Sequence, residues 1–356
     1  MNIILLSGGS GKRLWPLSND IRSKQFIKIF KTADGYESMV QRVYRQIKEV
    51  DADASVTIAT SKTQVSSIHN QLDNSVGVCV EPCRRDTFPA IALATAYLHD
   101  VKGVGLDEAV VVCPVDPYVN NDYFAALRTL SELAGQGNAN LSLMGIEPTY
   151  PSEKYGYIIP QSADAVSPVK TFKEKPDAAT AEKYIAQGAL WNGGVFAYKL
   201  RYVLDKAHEL IDFTDYKDLF NKYETLKKIS FDYAVVENES QIQVMRFAGQ
   251  WKDMGTWNTL TEAMEEPSIG KAILNDTCEG EYMYLFTADG FEGKMTQCDE
   301  GDLQWVEREF LNALPKWEGD QIFLDLLWQN APFFLLTLRY HGDTLVEAIL
   351  NGEKIR

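Results

Sequence analysis

The chain has 356 residues and a formal net charge of −15, so it is long enough for one large domain with a smaller addition. The acidity argues against nucleic acid as a partner, because a phosphate backbone requires a basic surface. No apolar run is long enough to span a membrane, which predicts a protein without a membrane anchor. The five cysteines are scattered, which argues against a zinc site and favours free thiols in a reducing compartment. Met1 leads directly into a strand pattern, so we expect a cytoplasmic protein.

The first predicted element is a buried strand that ends in a glycine-rich loop. Residues 1–6 are mostly apolar, and three glycines follow at positions 8, 9 and 11. Glycines allow a ligand to approach the backbone closely, and their N–H groups can bind an anion. Three cations lie near them in the chain: Lys12, Arg13 and Lys24. This combination predicts a site for a polyphosphate.

Two common phosphate motifs do not fit this loop. A Walker loop requires Ser or Thr directly after its lysine, whereas Arg13 follows Lys12. A dinucleotide-binding fingerprint requires a third glycine three residues after Gly11, and Leu14 occupies that position. The loop therefore indicates another class of phosphate site.

Short apolar strands alternate with helical patterns along most of the chain. The predicted strands are 55–59, 76–80, 109–113, 141–146 and 195–198, and the predicted helices are 38–47 and 89–98. Strands that alternate with helices are typical of α/β proteins. We therefore predict a mixed, mostly parallel sheet with helices on both faces.

The glycine-rich stretch resembles the signature of an enzyme family. Residues 8–18, followed by 24–26, are similar to the pattern of sugar-1-phosphate nucleotidylyltransferases, most of all in the mannose-1-phosphate guanylyltransferase branch. That family usually has Thr and Pro where this chain has Lys12 and Ser23. The resemblance extends to about residue 275 and implies a Rossmann-like nucleotidyltransferase (GT-A-like) domain over residues 1–275.

The resemblance also implies roles for the residues of this stretch. Arg13 and Lys24 are expected to be catalytic, because they would neutralise the charge that grows on a leaving pyrophosphate. The other residues expected to bind the nucleotide are Leu6, Gly8, Gly9, Gly11 and Lys12.

A second match, residues 81–91, lies beside the nucleotide base in the family. It implies that Glu81 and Arg85 bind the nucleotide. Three positions depart from the Gly, Asn and Ala of the family pattern: Arg84, Asp86 and Phe88. These departures leave the choice of base open.

Two aspartates are candidates for a magnesium site. Asp116 follows the predicted strand 109–113, at a place where sheets of this type bind ligands. It resembles the first metal-binding aspartate of the family, although Pro117 stands where the family has His. Asp253, in the segment 251–257, resembles the second. Mg²⁺ is commonly held by one or two carboxylates together with substrate phosphates.

Further segments resemble the sugar-side motifs of the family: 145–158, 172–176 and 190–196. In these, Gly156 would allow close approach of a sugar, and Glu174 and Asn192 would bind its hydroxyls. Lys175 is expected to be a catalytic cation that holds the sugar phosphate. In a later motif, Asp232 and Glu237 are expected to be structural.

The resemblance implies a Mg²⁺-dependent transfer of a nucleotidyl group from an NTP to a sugar 1-phosphate. The expected substrates are GTP and mannose 1-phosphate. The attacking phosphate oxygen is already an anion, so positioning and charge stabilisation would suffice without a general base. Two alternatives stay open: UTP or dTTP with glucose 1-phosphate, and a catalytically silent nucleotide-sugar-binding protein. We expect small-molecule substrates and neither nucleic acid nor membrane as partners, and the sequence leaves a homodimer open.

Residues 276–356 resemble a different protein, the second half of a Nudix hydrolase. The similarity lies in segments such as 281–291 and 317–320. The Nudix box, whose tandem glutamates bind Mg²⁺, has no counterpart in this part of the chain. We therefore expect a small α+β segment without Nudix hydrolase activity.

Overall fold

The computed structural model describes residues 1–9, 18, 23–32, 35–72, 75–254, 273–275, 278–281, 285 and 306–356. The chain divides into two compact units, Met1–Thr259 and Leu260–Arg356. This division falls earlier in the chain than the boundary near residue 275 that the sequence suggested.

Strands and helices alternate along the first unit. Its strands are β1 (Asn2–Leu6), β2 (Lys28–Thr32), β3 (Gly35–Ser38), β4 (Ser55–Ser61), β5 (Gly77–Glu81), β6 (Ala109–Pro114), β7 (Pro117–Val119), β8 (Leu141–Ile146), β9 (Tyr157–Pro160), β10 (Val166–Lys173), β11 (Leu190–Lys199), β12 (Ile242–Phe247) and β13 (Trp251–Asp253). Its helices are α1 (Met39–Val50), α2 (Val65–Gln71), α3 (Thr87–Asp100), α4 (Asn121–Gln136), α5 (Ala178–Ala186), α6 (Leu200–His208), α7 (Tyr216–Lys222) and α8 (Phe231–Ala234). The strands and helices predicted from hydrophobic patterns are all present.

Nine of these strands form one mixed sheet, in the order β5-β4-β1-β6-β11-β8-β12-β10-β9. The pairing directions make seven strands run one way, with β10 and β11 running against them, so the prediction of a mixed, mostly parallel sheet is confirmed. Strand β9 pairs with both β10 and β11. The strands β11, β8, β12, β10 and β9 therefore close into a ring at one end of the sheet.

Helices cover the sheet in two groups. Helix α3 packs against α6, α7 and α8, whereas α1 packs against α4. Consecutive residues of β1, Ile3, Ile4 and Leu5, are all fully buried, which requires cover on both faces of the sheet. Helix α1 begins at a capping box, in which the Ser38 hydroxyl accepts from the N–H of Gln41 at 3.3 Å.

The second unit is a small α+β structure. It contains β14 (Ile273–Asn275), β15 (Cys278–Glu281), α9 (Asp320–Trp328), β16 (Leu336–His341), β17 (Thr344–Leu350) and β18 (Glu353–Lys354), with the sheet order β15-β14-β16-β17-β18. A small core is buried on this sheet: Leu338, Tyr340, Leu345 and Ala348. The expected α+β composition is thus confirmed, while the likeness to a Nudix hydrolase stays a prediction.

The structure can be compared with the sequence on two points, membrane-spanning helices and cysteine pairing. Among the residues that the structure describes, no helix combines the length and the apolar character that crossing a membrane would need. Cys79, Cys83 and Cys113 are free thiols. Burial raises the pKa of Cys79 and of Cys113 to about 12, which keeps both thiols protonated and unreactive.

The packing of the nine-stranded sheet can be tested by substituting Gly145, with Gly135 on a helix as the control. A Cβ on Gly145, in β8, would lie 2.5 Å from Leu190 Cδ1 and 2.8 Å from Val244 Cγ2. We therefore expect Gly145→Ala to lower the free energy of unfolding by about 1–3 kcal/mol, because the core must shift to accept a methyl group. The control Gly135→Ala, in α4 with no atom within 4 Å of its Cβ position, should raise it by roughly 0.5–1 kcal/mol. Urea unfolding curves measure both, and equal stability of the two variants would contradict the packing described.

Candidate active site

The segments that follow several strands meet on one side of the nine-stranded sheet. β1 and β6 are parallel neighbours with Leu6 opposite Pro114, and the N–H of Val115 donates to the Leu6 carbonyl at 3.2 Å. Glu81 is the last residue of β5. Because parallel strands end at the same edge of a sheet, Gly8, Glu81 and Asp116 lie on the same side.

The first group of site residues consists of Gly8, Glu81 and Tyr223. A Cβ on Gly8 would lie 3.5 Å from Glu81 Oε1, so this carboxylate borders the glycine loop. Glu81 Oε2 accepts a hydrogen bond from the Tyr223 hydroxyl at 2.7 Å. Burial raises the pKa of Glu81, and the bond from Tyr223 partly opposes this rise. A largely buried carboxylate beside the loop is a suitable acceptor for N–H groups of a nucleotide base.

Arg85, which was predicted to bind the nucleotide, makes different contacts. Its guanidinium donates to the carbonyl of Glu224, and its carbonyl accepts from the N–H of Ile229 at 3.3 Å. These bonds connect the start of α3 with the segment before α8. A nucleotide contact of Arg85 stays a prediction.

The second group consists of Lys24, Asp116 and Asp253. Lys24 lies in a 3₁₀ turn, and its Nζ is 3.0 Å from Asp116 Oδ2 and 3.3 Å from the Met254 carbonyl oxygen. The side chain of Lys24 is 11% exposed and that of Asp116 is 38% exposed. A mostly buried ammonium is stable in this position because a carboxylate and a carbonyl share its charge.

A short two-stranded sheet brings the third member to this group. Strands β7 and β13 are antiparallel, and Asp253 lies opposite Pro117, the residue after Asp116. The two aspartates predicted to bind Mg²⁺ are thus neighbours, although more than a hundred residues separate them in the chain.

The two carboxylates of this second group, Asp116 and Asp253, fit Mg²⁺. They supply the hard oxygen ligands that Mg²⁺ prefers, and the Asp116 side chain is exposed enough to reach a ligand. Within the described ranges, no group of three or more His, Cys, Asp and Glu side chains could hold a metal. A magnesium ion here would therefore take its other ligands from substrate phosphates and water, as it commonly does.

The third group consists of Gly156, Glu174, Lys175, Asn192 and Asp232. A Cβ on Gly156 would lie 2.5 Å from Glu174 Oε2 and 2.9 Å from Phe172 Cζ, so a larger residue would displace the Glu174 carboxylate. Glu174 Oε1 is 2.8 Å from Lys175 Nζ, and this hydrogen bond raises the pKa of Lys175. Glu174 Oε2 is buried and has no partner among the described residues. Such an oxygen is an acceptor available to a ligand hydroxyl.

Asn192 enters this group through a bulge in β11. The pairing of β11 with β8 shifts register between Asn192 and Phe196, and Gly194 has φ of 70°, which favours glycine. The Asn192 side-chain oxygen Oδ1 accepts from the N–H of Gly194 at 3.0 Å, and the side-chain NH₂ group donates to Asp232 Oδ1 at 2.6 Å. The bulge thereby orients the amide toward the site.

Asp232, which the sequence predicts to be structural and to brace the wall of the sugar pocket, contacts a residue of this group. Its carboxylate joins the third group through Asn192. Burial raises its pKa to about 6, and the negative charge of Glu174 adds to this rise. The Ser-x-Asp-Tyr pattern marks Asp232 in the sequence, but nothing in the pattern indicates its hydrogen bond with Asn192 or the effect of the Glu174 charge. Tyr223, in contrast, belongs to no motif.

An aromatic cluster connects the second and third groups. The ring of Tyr155 lies 4.9 Å from that of Trp191 and 5.5 Å from that of Trp251. Trp251 begins the strand that carries Asp253, and Trp191 precedes Asn192. The aspartate strand and the third group are therefore held by one packed cluster.

The predicted residues of the glycine loop are described only in part. Leu6 packs against the core, and a Cβ on Gly9 would meet no atom within 4 Å. Gly11, Lys12 and Arg13 lie outside the described residues.

Comparisons with known proteins place this chain in a family. The sequence pattern of the family described as nucleotidyl transferase matches residues 2–268. The chain is 31% identical over 310 residues to the xanthan biosynthesis protein XanB of Xanthomonas campestris, an alignment that covers 79% of this chain and 64% of that protein. It is 30% identical over 322 residues to a mannose-1-phosphate guanylyltransferase of Escherichia coli, covering 81% of this chain and 67% of that protein.

A solved structure is similar as well. The crystal structure described as mannose-1-phosphate geranyltransferase from Thermus thermophilus superposes with a TM-score of 0.63 at 27% identity, and covers 77% of this chain and 80% of that one. The chain spans about 64% of the length of XanB.

The carboxyl group of Asp232 predicts a pH-dependent stability. Its pKa in the folded protein, about 6, is above the ordinary 3.8, so it stabilises the fold at low pH, and this contribution is lost as the pH rises from 3.8 through about 6. Asp232→Asn cannot ionise and should be more stable than the wild type above that range, by on the order of 1–2 kcal/mol.

Urea unfolding at about pH 4 and about pH 7 measures this difference. Asp107→Asn is the control, because the Asp107 side chain is 80% exposed. A difference between wild type and Asp232→Asn that is the same at both pH values would refute the raised pKa.

Proposed function

The chain belongs to the nucleotidyl transferase family, and on this premise we propose that it transfers a nucleotidyl group from a nucleoside triphosphate to a sugar 1-phosphate, releasing pyrophosphate. The observation that carries the proposal is the order of the three groups along the sheet. Gly8 and Glu81 lie at β1 and β5, Asp116 follows β6, and Asn192 lies on the next strand, β11. An acidic centre between two binding groups is the arrangement that two substrates sharing one metal ion require.

We propose GTP and mannose 1-phosphate as the substrates. Relatives that align with most of this chain carry the name mannose-1-phosphate guanylyltransferase. The largely buried Glu81 beside the glycine loop supports a base that presents N–H donors, and the Watson–Crick edge of guanine presents an N–H and an NH₂ group side by side. The unpartnered Glu174 oxygen supports a sugar whose hydroxyl donates a hydrogen bond.

The proposed chemistry uses few side chains. The attacking oxygen belongs to the sugar phosphate and is already an anion, so no residue has to remove a proton. Lys175, kept protonated by Glu174, would hold that phosphate. Lys24 would stabilise the charge that develops on the leaving pyrophosphate, and Arg13 is expected to assist it.

Asp116 and Asp253 would hold Mg²⁺. When bound, this ion supplies charge neutralisation and orients the phosphates for in-line displacement. We further propose that the protein is cytoplasmic, as its small-molecule chemistry and scattered free cysteines suggest.

The proposed reaction predicts a defined loss of activity when the aspartates change. With GTP, mannose 1-phosphate and Mg²⁺, the wild type should release pyrophosphate, and Asp116→Asn and Asp253→Asn should each lower kcat/KM by about 100-fold or more, because charge stabilisation at the phosphates is lost. Chelation of Mg²⁺ should have the same effect on the wild type.

The control for these variants is Glu132→Gln, an exposed carboxylate on α4. It should keep wild-type activity. Activity that survives both aspartate changes would refute the second group as the metal site, and a wild type that is inactive with every pair of triphosphate and sugar phosphate would refute the reaction.

The proposed base contact predicts a change of nucleotide preference. Glu81→Gln replaces an acceptor oxygen by a donor NH₂ group, so we expect kcat/KM for GTP to fall about tenfold or more while that for UTP and dTTP falls less. Tyr223→Phe removes only the hydrogen bond to Glu81 and should have a smaller effect. If Glu81→Gln leaves the ratio of kcat/KM for GTP and UTP unchanged, the base is read by other residues.

A further inference from the structure

A buried network of polar side chains lies next to the glycine-rich loop, outside the three groups described above. Each of its five members is at most 2% exposed: Ser7, Ser23, Gln25, Thr60 and Gln64. Polar groups are costly to bury unless they are hydrogen-bonded, so the geometry of such a network is closely determined.

Gln64 is the centre of this network. Its Oε1 accepts from the hydroxyls of Thr60 at 2.7 Å and Ser7 at 3.4 Å, and from the amide of Gln25 at 3.4 Å. Its Nε2 donates to Ser23 Oγ at 2.8 Å and to the Gly9 carbonyl at 3.4 Å. One amide thus contacts both ends of the chain stretch from 9 to 23.

The residues at these two ends adjoin the proposed triphosphate site. Gly9 is part of the glycine-rich loop, and Ser23 directly precedes Lys24, whose Nζ bonds to Asp116. Gln25, directly after Lys24, donates to the Ser7 carbonyl at 3.2 Å. The turn that carries Lys24 is therefore held against the end of β1 from both sides.

We propose that Gln64 is a positioning residue, which holds the glycine-rich loop and the Lys24 turn in register with each other for binding of the triphosphate. The inference rests on the proposed function, since it concerns the same triphosphate. Gln64 touches neither substrate, and it acts through Gly9 and Ser23.

Two variants of Gln64 separate positioning from stability. Gln64→Met keeps the length of the side chain and removes every hydrogen bond of the amide. Gln64→Glu keeps oxygens that accept from Thr60, Ser7 and Gln25, and the Ser23 hydroxyl can turn to donate to it. It loses the bond to Gly9, because two oxygens then face each other. Gln64→Glu is therefore the informative variant if Gln64→Met does not fold.

The matched control is Gln243→Met. Gln243 is also a buried glutamine, and its amide donates to Ser142 Oγ at 2.9 Å, within the strands β12 and β8. Its loss removes one buried hydrogen bond of a glutamine amide without touching the glycine-rich loop.

The experiment measures three quantities on the full chain: the Kd for GTP by titration calorimetry, kcat/KM for pyrophosphate release, and the urea midpoint. For both Gln64 variants we expect the Kd for GTP to rise about tenfold and kcat/KM to fall at least as much, with the KM for mannose 1-phosphate unchanged. Gln243→Met should keep the Kd and kcat/KM within about twofold, whatever its urea midpoint.

The outcomes distinguish this inference from the proposed function. If the Gln64 variants have a lower urea midpoint but the wild-type Kd for GTP, the network serves stability alone and the inference is wrong. If the wild type binds GTP but releases no pyrophosphate, the proposed reaction fails, and the Kd values of the Gln64 variants still decide whether Gln64 positions the loop.

Discussion

The ion pair between Lys24 and Asp116 is the constraint on which the rest of the site depends. It joins the turn after the glycine-rich loop to the end of β6 over 3.0 Å, with the lysine only 11% exposed. An ammonium in such surroundings needs its partner, because an unpaired buried charge costs several kcal/mol (on the order of 3–5). The pair in turn requires β1 and β6 to be parallel neighbours in their observed register, and it requires the buried network around Gln64 to hold the Lys24 turn. A ligand that competes for Lys24 and Asp116 must replace both halves of this pair, and the proposed polyphosphate with a divalent cation would supply an anion for the lysine and a cation for the aspartate.

The third group depends on a different constraint, the closure of the sheet. Gly156 precedes β9, Glu174 follows β10 and Asn192 lies near the start of β11, so the group forms only where these three strands meet. The double pairing of β9 creates that meeting point. The bulge at Gly194 then orients Asn192 toward Asp232. The aromatic cluster of Tyr155, Trp191 and Trp251 packs β13, the strand that carries Asp253, against the start of β11. The third group is therefore fixed by backbone pairing, and Asp253 is fixed both by the pairing of β13 with β7 and by the packing of these large side chains.

These constraints explain which features were predictable from the sequence. Patterns of neighbouring residues predicted β1 and the amphipathic helix α1, because each of these is determined by residues close in the chain. Gly8, Glu174 and Asn192 were predictable because each lies in a compact motif. Tyr223 and Gln64 were not, since their partners lie far away in the chain and a lone tyrosine or glutamine carries no pattern. The reversal of β10 and β11 was hidden for the same reason, because strand direction depends on pairing and not on composition.

The acidic residues of the third group show how this site departs from a fold optimised for stability. Glu174 and Asp232 are two carboxylates in shared, mostly buried surroundings, and burial, with the negative charge of Glu174 as a second cause, raises the pKa of Asp232. Lys175 offsets part of this charge, yet it does so from a backbone conformation with φ of 42°, which is unfavourable for a lysine. A buried oxygen without a partner, a strained lysine and a carboxylate that resists ionisation would each be removed by substitutions that stabilise the fold. Sequences usually break such local rules at sites where a ligand restores the balance. Since hydroxyl groups can donate to both carboxylates and a phosphate can accept from Lys175, a sugar phosphate would supply a partner to all three side chains, which supports the proposal that the third group binds one.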